Sequence, residues 1–396
     1  MRSELVAHGR GWKRTRSRPR VVYLTYDGIE EPLGRSQVLP YLYRLAGDFM
    51  ITLISFEKTA QPNVNLCRTL EEVGIDWQRL RYHKRPPVLS TLLDVLAGRR
   101  ALVRASRRAG GPTTVHVRSY VPALIALLAR RRLRARLLFD IRGFWADERV
   151  EGGIWRSHSL LYKIAKGCER RFFSEADAIV TLTHASIPQI ANWTQGRTVP
   201  IVVIPTCVDL TRFGERPRRP DGPKAVWIGS VGTWYRFDLC AAAAAELELP
   251  LEVITRQVLH AERLLAGYPA KIWTLAPEAI PGHLYAGDIG LCLIRSSFSK
   301  TASAPIRFAE YLACGMPVLV TRGIGDMDAI VEERAIGAVI ADETHDALAV
   351  AAARLRLLVD DPTTAARCRQ TARELFDVDA GTARYRALYV QIARPS

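Results

Sequence analysis

Ser303, Arg307, Glu310 and Cys314 recur at intervals of three and four residues, so on a helix they would share one face. The loop before them, Arg295 to Ser303, supplies four serines, a threonine and two cations. The first turn of a helix leaves backbone N–H groups without partners and carries the positive end of its dipole, which together favour a phosphate. A glutamate one to two turns further on, here Glu310, could accept hydrogen bonds from the hydroxyls of the same ligand. Other chemistry-bearing residues follow apolar runs of strand length: Asp27 after Val21–Tyr26, Arg118 after His116, and Asp140 with Arg142 after Leu137. Sites in parallel α/β folds form where loops leave the strand ends. The plainer reading is an Asp140/Arg142 or Glu148/Arg149 pair that orders the loop. Gly229, Ser230 and Gly232 follow the run Ala225–Ile228, and two glycines there let backbone N–H groups approach a ligand closely.

The elements that must position these residues read as an alternation of strand, loop and helix, the pattern of parallel sheets. Strands are expected over Val21–Tyr26, Ile51–Phe56, Trp77–Tyr82, Leu137–Ile141, Asp177–Leu182 and Val199–Ile204. In the second half they are expected over Ala225–Ile228, Leu251–Thr255, Ala270–Trp273, Asp288–Ile294 and Val318–Thr321. The helix carrying Glu310 should begin at Ser303 or Ala304 as cap, with Pro305 in its first turn, and close at Gly315 before Pro317. Asp27 to Gln37 reads as a turn-rich loop leading into a helix from Val38. Its Gly28 and Gly34 are too far apart for a dinucleotide-binding Gly-x-Gly-x-x-Gly turn. Asp326-Met327-Asp328 and Asp377-Val378-Asp379 resemble metal-binding carboxylate pairs, but Asp326 is more simply the cap of the helix after Gly325, and no metal site is expected.

With 396 residues and 48% hydrophobic composition the chain can build two domains with real cores. Its formal charge of +16 is compatible with nucleic acid, anionic lipid or phosphorylated small molecules as partners. The basic residues are not interleaved with aromatics, which disfavours nucleic acid. Seven scattered cysteines without a Cys-x-x-Cys pair argue for reduced thiols in a cytoplasm. No apolar run reaches the length of a spanning helix. The helix from Ser90 to about Ala109 is basic and amphipathic: Leu92, Leu93, Leu96 and Val103 are expected as core, with contact to an anionic membrane as the alternative.

Taken together, Asp27-Gly28 with Pro32-Leu33-Gly34-Arg35-Ser36-Gln37, Arg118-Ser119-Tyr120, Asp140-Ile141-Arg142-Gly143-Phe144-Trp145, Gly229-Ser230-Val231-Gly232 and Glu310-Tyr311-Leu312-Ala313-Cys314-Gly315-Met316-Pro317 resemble a bacterial subgroup of retaining, family-4-like glycosyltransferases. The resemblance runs from about Val21 to Tyr389. It implies an α/β protein of the GT-B fold, with two Rossmann-like parallel-sheet domains facing across a cleft. The expected parts are a disordered basic tail (1–20), an acceptor domain (21–213), a linker (214–223) and a nucleotide-sugar domain (224–379), with a C-terminal helix (380–396) packing back on the first domain. By the same resemblance Glu310 holds the nucleotide ribose, Gly229, Ser230 and Gly232 lie near the diphosphate, and Ser303 and Arg307 contact phosphate or sugar. Arg256, with Arg236, is a candidate diphosphate cation. The family's second glutamate would stand at position 302, which is alanine here.

The implied activity is transfer of a sugar, with retention and without a metal or cofactor, from a nucleotide-diphosphate sugar to a glycan, lipid-linked or small-molecule acceptor. Asp140 and Arg142 are the expected catalytic residues, supported by Asp27 and Arg118. The expected location is the cytoplasm or the inner face of its membrane, with peripheral contact to anionic lipid and no nucleic-acid partner. Nucleotide-sugar epimerisation on the same fold and a non-catalytic basic binding protein are the competing readings.

Overall fold

The structure, a computed structural model, describes residues 18–107, 113–214, 223–265, 267–285 and 287–393. The expected basic tail lies outside the described residues up to position 17, and so does the expected linker except at its ends. Among the described residues the strands form two sheets. The first contains seven, β1 (Arg20–Thr25), β2 (Met50–Glu57), β3 (Ile75–Arg81), β4 (Thr113–Arg118), β5 (Arg136–Asp140), β6 (Ala178–Thr181) and β7 (Ile201–Val203), in the order β3-β2-β1-β4-β5-β6-β7. The second contains six, β8 (Ala225–Ile228), β9 (Leu251–Ile254), β10 (Ala270–Trp273), β11 (Ile289–Cys292), β12 (Val318–Thr321) and β13 (Gly337–Ile340), in the order β10-β9-β8-β11-β12-β13. Strand pairing is parallel, as in β1 with β2 and β4, and β8 with β9 and β11. Each sheet therefore grows outward from its first strand and reverses there, the topology that leaves a ligand crevice at the strand C-termini.

The chain divides into two compact units, one comprising residues up to 140 with 175–179 and from 385 onward, the other 141–174 with 180–384. In the first unit β1, β4 and β5 are almost wholly buried, as expected for strands covered on both faces. Helix Pro32–Gln37 occupies part of the stretch expected as loop, with Pro32 in its first turn. A Cβ on Gly34 would lie 2.3 Å from the Gly28 carbonyl oxygen, so only glycine lets this short helix rest on the Gly28–Ile29 turn. The amides of that turn are already satisfied: buried Glu57 accepts from Ile29 N at 2.9 Å.

Helix Pro87–Arg107 departs from expectation in its orientation. Leu92 (53% exposed), Leu93 (51%) and Leu96 (40%) face outward, while Ser90, Asp94, Val95, Leu102 and Ala105 face the core. The cause is Asp94. Its carboxylate is fully buried and accepts from the Tyr26 hydroxyl (2.7 Å) and the His83 backbone N–H (3.2 Å), with His83 Nδ1 2.6 Å away. Turning the leucines inward would bring this satisfied carboxylate out and strand its partners, which costs more than leaving apolar surface in water.

In the second unit the β11–β12 crossover is formed by helix Ile306–Ala313. Its N-cap is Pro305, not Ser303 or Ala304, because Ser303 ends a preceding 3-10 turn over Phe298–Ala302 and donates its N–H to Lys300 O. The helix closes as expected before Gly315, which has φ +74°. Phe308, Leu312 and Met316 join one core cluster with Val226, Ile228 and Val318.

Candidate functional site

In the second unit, the residues around β8 and helix Ile306–Ala313 meet at one point. Arg307 is 6% exposed, and its guanidinium lies 4.6 Å from the Trp227 ring centroid and 4.3 Å from that of Tyr235. Cation–π attraction to two rings fixes the charge without neutralising it. The guanidinium continues under Gly229, where an added Cβ would come within 2.4 Å of Nη2. Gly229 has φ +117°, a conformation glycine alone adopts freely, so conformation and space both require glycine here. Among the described residues no carboxylate pairs with Arg307, and its buried Nη1 has no hydrogen-bond partner.

Glu310 lies one turn on. The residue keeps part of its surface exposed while its carboxyl group is enclosed, and burial pushes its pKa from 4.5 up to about 7, against the opposing pull of Arg212 and Arg307. The enclosure sets the direction of the shift, and the exposed part leaves the group reachable. No ion pair joins Glu310 to Arg307 among the described residues, so the plain helix salt bridge is not what holds either side chain. Arg212, which is not among the expected site residues, is anchored by a hydrogen bond to Pro277 O at 2.8 Å.

The remaining expected donor-side residues are dispersed. Ser230 is exposed beside Gly229, and the Val231 N–H between them and Gly232 is taken by Gln257 Oε1 at 3.0 Å. Arg256 is exposed at the end of β9. Arg236 is committed elsewhere, to Asp238 and to Glu343. Ser303 lies off the helix face expected for it. It lines a cavity of about 330 Å³ with Thr183, Pro305, Phe308 and Asp326, which includes neither Arg307 nor Glu310. Cys314, 1% exposed, is core.

Arg142 begins a second cluster in this unit. It has φ +58° and Gly143 φ +125°, which turn the chain sharply at the end of β5. Such strained conformations at strand ends mark a site to test. The Arg142 guanidinium donates to Thr206 Oγ1 at 3.3 Å. Helix Trp145–Glu151, which follows, meets the serine-rich loop: Phe144 stacks on Phe298 with ring centroids 5.3 Å apart, and Glu151 accepts from Ser297 Oγ (2.7 Å) and Ser299 N (3.1 Å). Lys300 pairs with Glu148 and lies 4.1 Å from the Trp234 ring centroid. Glu148 thus pairs with Lys300 rather than with the neighbouring Arg149 of the plainer reading. These contacts link two motifs 150 residues apart, and sequence spacing carried no signal for them. Ala302, at the position of the family's second glutamate, is fully buried.

Asp326 stands at the N-cap position of helix Met327–Arg334, as expected, but its side chain is used elsewhere. Its carboxylate accepts from His184 N (2.7 Å) and Ala185 N (2.9 Å), and makes no cap bond. Asp328 instead accepts from Gly323 N at 3.0 Å.

In the first unit, Arg118 (3% exposed) donates from Nη1 to Asp27 Oδ2 at 2.5 Å and from Nη2 to Gln37 Oε1 at 2.9 Å. Asp27 remains about one-third exposed, 34% by its side chain, and so presents a carboxylate held by a buried cation at a strand end. Asp140 is different. At 1% exposure it accepts from the Tyr385 hydroxyl at 2.9 Å and lies 3.5 Å from His116 Nε2. His116 Nδ1 is 2.6 Å from the Tyr389 hydroxyl. This buried network fastens the end of helix Val378–Ala393 to β4 and β5.

Two parallel α/β sheets of matching strand order, each with strand-end loops bearing charged residues, define the GT-B architecture of glycosyltransferases. Residues 41–207 match the glycosyl transferase 4-like domain and residues 285–375 the glycosyl transferases group 1 family. The chain belongs to the family-4-like glycosyltransferases of the GT-B fold. No curated protein matches its sequence. Among solved structures, sucrose-phosphate synthase from Thermosynechococcus elongatus is similar with TM-score 0.70 and 13% identity, over 94% of this chain and 99% of that one. A glycosyltransferase from Rickettsia africae gives 0.69 and 14%, over 96% and 100%. Anabaena HepE in complex with UDP and glucose gives 0.66 and 15%, over 94% and 100%.

Proposed function

We propose that this glycosyltransferase takes a nucleotide-diphosphate sugar as donor and transfers the sugar, with retention and without a metal ion, to a glycan, lipid-linked or small-molecule acceptor. The observation that carries the reading is Arg307. A guanidinium buried between two aromatic rings, under a glycine turn and without a carboxylate, is costly unless a ligand supplies the anion. A diphosphate reaching the Gly229 turn supplies it, and Glu310, one turn away, accepts from the ribose hydroxyls. The complex of Anabaena HepE with UDP and glucose supports a nucleotide donor on this fold.

The reaction breaks the bond between the anomeric carbon and the diphosphate oxygen and forms one to an acceptor oxygen, which loses its proton. Positive charge develops on the sugar ring and negative charge on the departing diphosphate. Fixed cations aimed at that diphosphate stabilise the transition state without reorganising. Arg307 is preorganised for this, and Lys300, held by Glu148 and Trp234, is the second candidate. Metal independence follows as a proposal from this supply of charge. For the acceptor, the exposed carboxylate of Asp27 set by Arg118 is the favoured contact, with Arg142 beside the Trp145–Glu151 helix. Asp140 takes a positioning part through Tyr385.

Incubating the purified protein with labelled UDP- and GDP-sugars, with and without a lipid and glycan extract, tests the reading. Free nucleoside diphosphate and a glycosylated product of unchanged anomeric configuration should appear only with acceptor. An isomerised sugar formed without acceptor, or no affinity for any nucleoside diphosphate, would overturn it.

A further inference from the structure

The outward face of helix Pro87–Arg107 has no part in the donor site and no structural reason to be apolar. Leu89, Leu92, Leu93 and Leu96 lie three, four and seven residues apart, so they form one stripe, and each is 40% exposed or more. The stripe continues toward the C-terminus as Arg100, Arg104 and Arg107, all exposed. Arg99, Arg100, Val103, Arg104, Arg107 and Arg132 line an open groove of about 480 Å³. Lys84 and Arg85 are exposed just before the helix. Asp94, the single acidic residue in the helix, is buried, so the exposed face carries no negative charge. The orientation is enforced, because the bonds from Tyr26 and His83 hold Asp94 in and the leucines out.

We infer that this face docks on an anionic lipid bilayer, with the four leucines entering the acyl boundary and the arginine groove meeting phosphate headgroups. An apolar stripe joined to a cationic one along the same helix suits an interface that is itself apolar beneath and anionic above. Nucleic acid would use the arginines but has nothing to cover the leucines. A second copy of the chain would bring the same arginines together. Among the described residues no helix is long and apolar enough to cross a membrane, and this docking needs none.

Flotation of the full chain with vesicles of phosphatidylglycerol and phosphatidylcholine, against phosphatidylcholine alone, tests the inference without nucleotide or acceptor, so its outcome is independent of the proposed reaction. Binding should require phosphatidylglycerol and weaken as salt rises from 50 to about 500 mM, since surface charge is screened. The combined L92S, L93S and L96S variant should bind at least about tenfold more weakly with an unchanged thermal midpoint, because these side chains are exposed in the fold. Leu92→Ser alone serves if the triple variant does not fold. R100E with R104E should lose both binding and its salt dependence. Absence of phosphatidylglycerol binding overturns the inference. So does binding that survives the leucine changes, or that is lost on changing the other exposed apolar run, Leu160, Leu161 and Ile164, instead. A leucine-dependent dimer in vesicle-free solution would assign the face to a second copy and also overturn it.

Discussion

Replacing Glu310 with glutamine separates the charge of the proposed ribose ligand from its shape. Burial raises the Glu310 carboxyl from 4.5 to about 7, so in the free protein it is largely protonated at pH 6 and largely ionised at pH 8. With that midpoint the ionised fraction rises from about one tenth to about nine tenths, so affinity that depends on the carboxylate should grow by about tenfold, or ~1.4 kcal/mol. The nucleotide's own phosphate titrates nearby, and the ratio of wild type to Glu310→Gln removes that contribution. Calorimetric titration of UDP and GDP into both proteins at pH 6, 7 and 8 measures it. The stability of the ligand-free protein should run the other way. An acid whose folded pKa is raised keeps its proton longest when folded, so the contribution of Glu310 to stability is fully present at and below about pH 4.5 and is lost as pH rises from there through about 7. Glu310→Gln removes that fall, on the order of 3 kcal/mol by pH 8. Parallel pH profiles for the two proteins, in binding and in stability, would refute the assignment of Glu310.

Gly229→Ala places a Cβ 2.4 Å from Arg307 Nη2 at φ +117°, so nucleoside-diphosphate affinity should fall at least about tenfold in the same titration, with a lowered thermal midpoint. Tyr385→Phe removes the donor to Asp140 and should destabilise the fold by about 1–3 kcal/mol in urea unfolding while leaving nucleotide affinity unchanged. Glu148→Gln releases Lys300 and should lower kcat more than it raises KM for the donor, read from initial rates. A chelator should leave the transfer rate unchanged.

The alternation of strands was readable because parallel strands covered on both faces are continuous apolar runs: Ala225–Ile228 and Val318–Thr321 stand as expected, and so does Ala270–Trp273, a sheet-edge strand whose residues alternate between half-buried and exposed. The helix at Pro32 was missed although its proline is a start signal, because glycines on both sides of it suggested a loop. Helix Pro87–Arg107 shows a deeper limit. Its leucines have the spacing of a core stripe, and the decisive fact is a buried aspartate whose partners, Tyr26 and His83, come from other elements. Arg307 and Glu310 were recognisable by type and spacing. That Arg307 is unpaired, lies between Trp227 and Tyr235 and sits beneath Gly229 depends on contacts across about 80 residues of chain. Asp140 shows the converse: its place at a strand end was readable, whereas its burial against the Tyr385 hydroxyl, 245 residues along the chain, was not.

The most direct test of the donor site is a crystal structure of the protein with UDP or GDP, whichever binds more tightly. The account predicts the diphosphate against the Gly229 turn with an oxygen hydrogen-bonded to Arg307, and the ribose hydroxyls on Glu310. A nucleotide bound elsewhere, with the Arg307 guanidinium still unpaired between Trp227 and Tyr235, would contradict it.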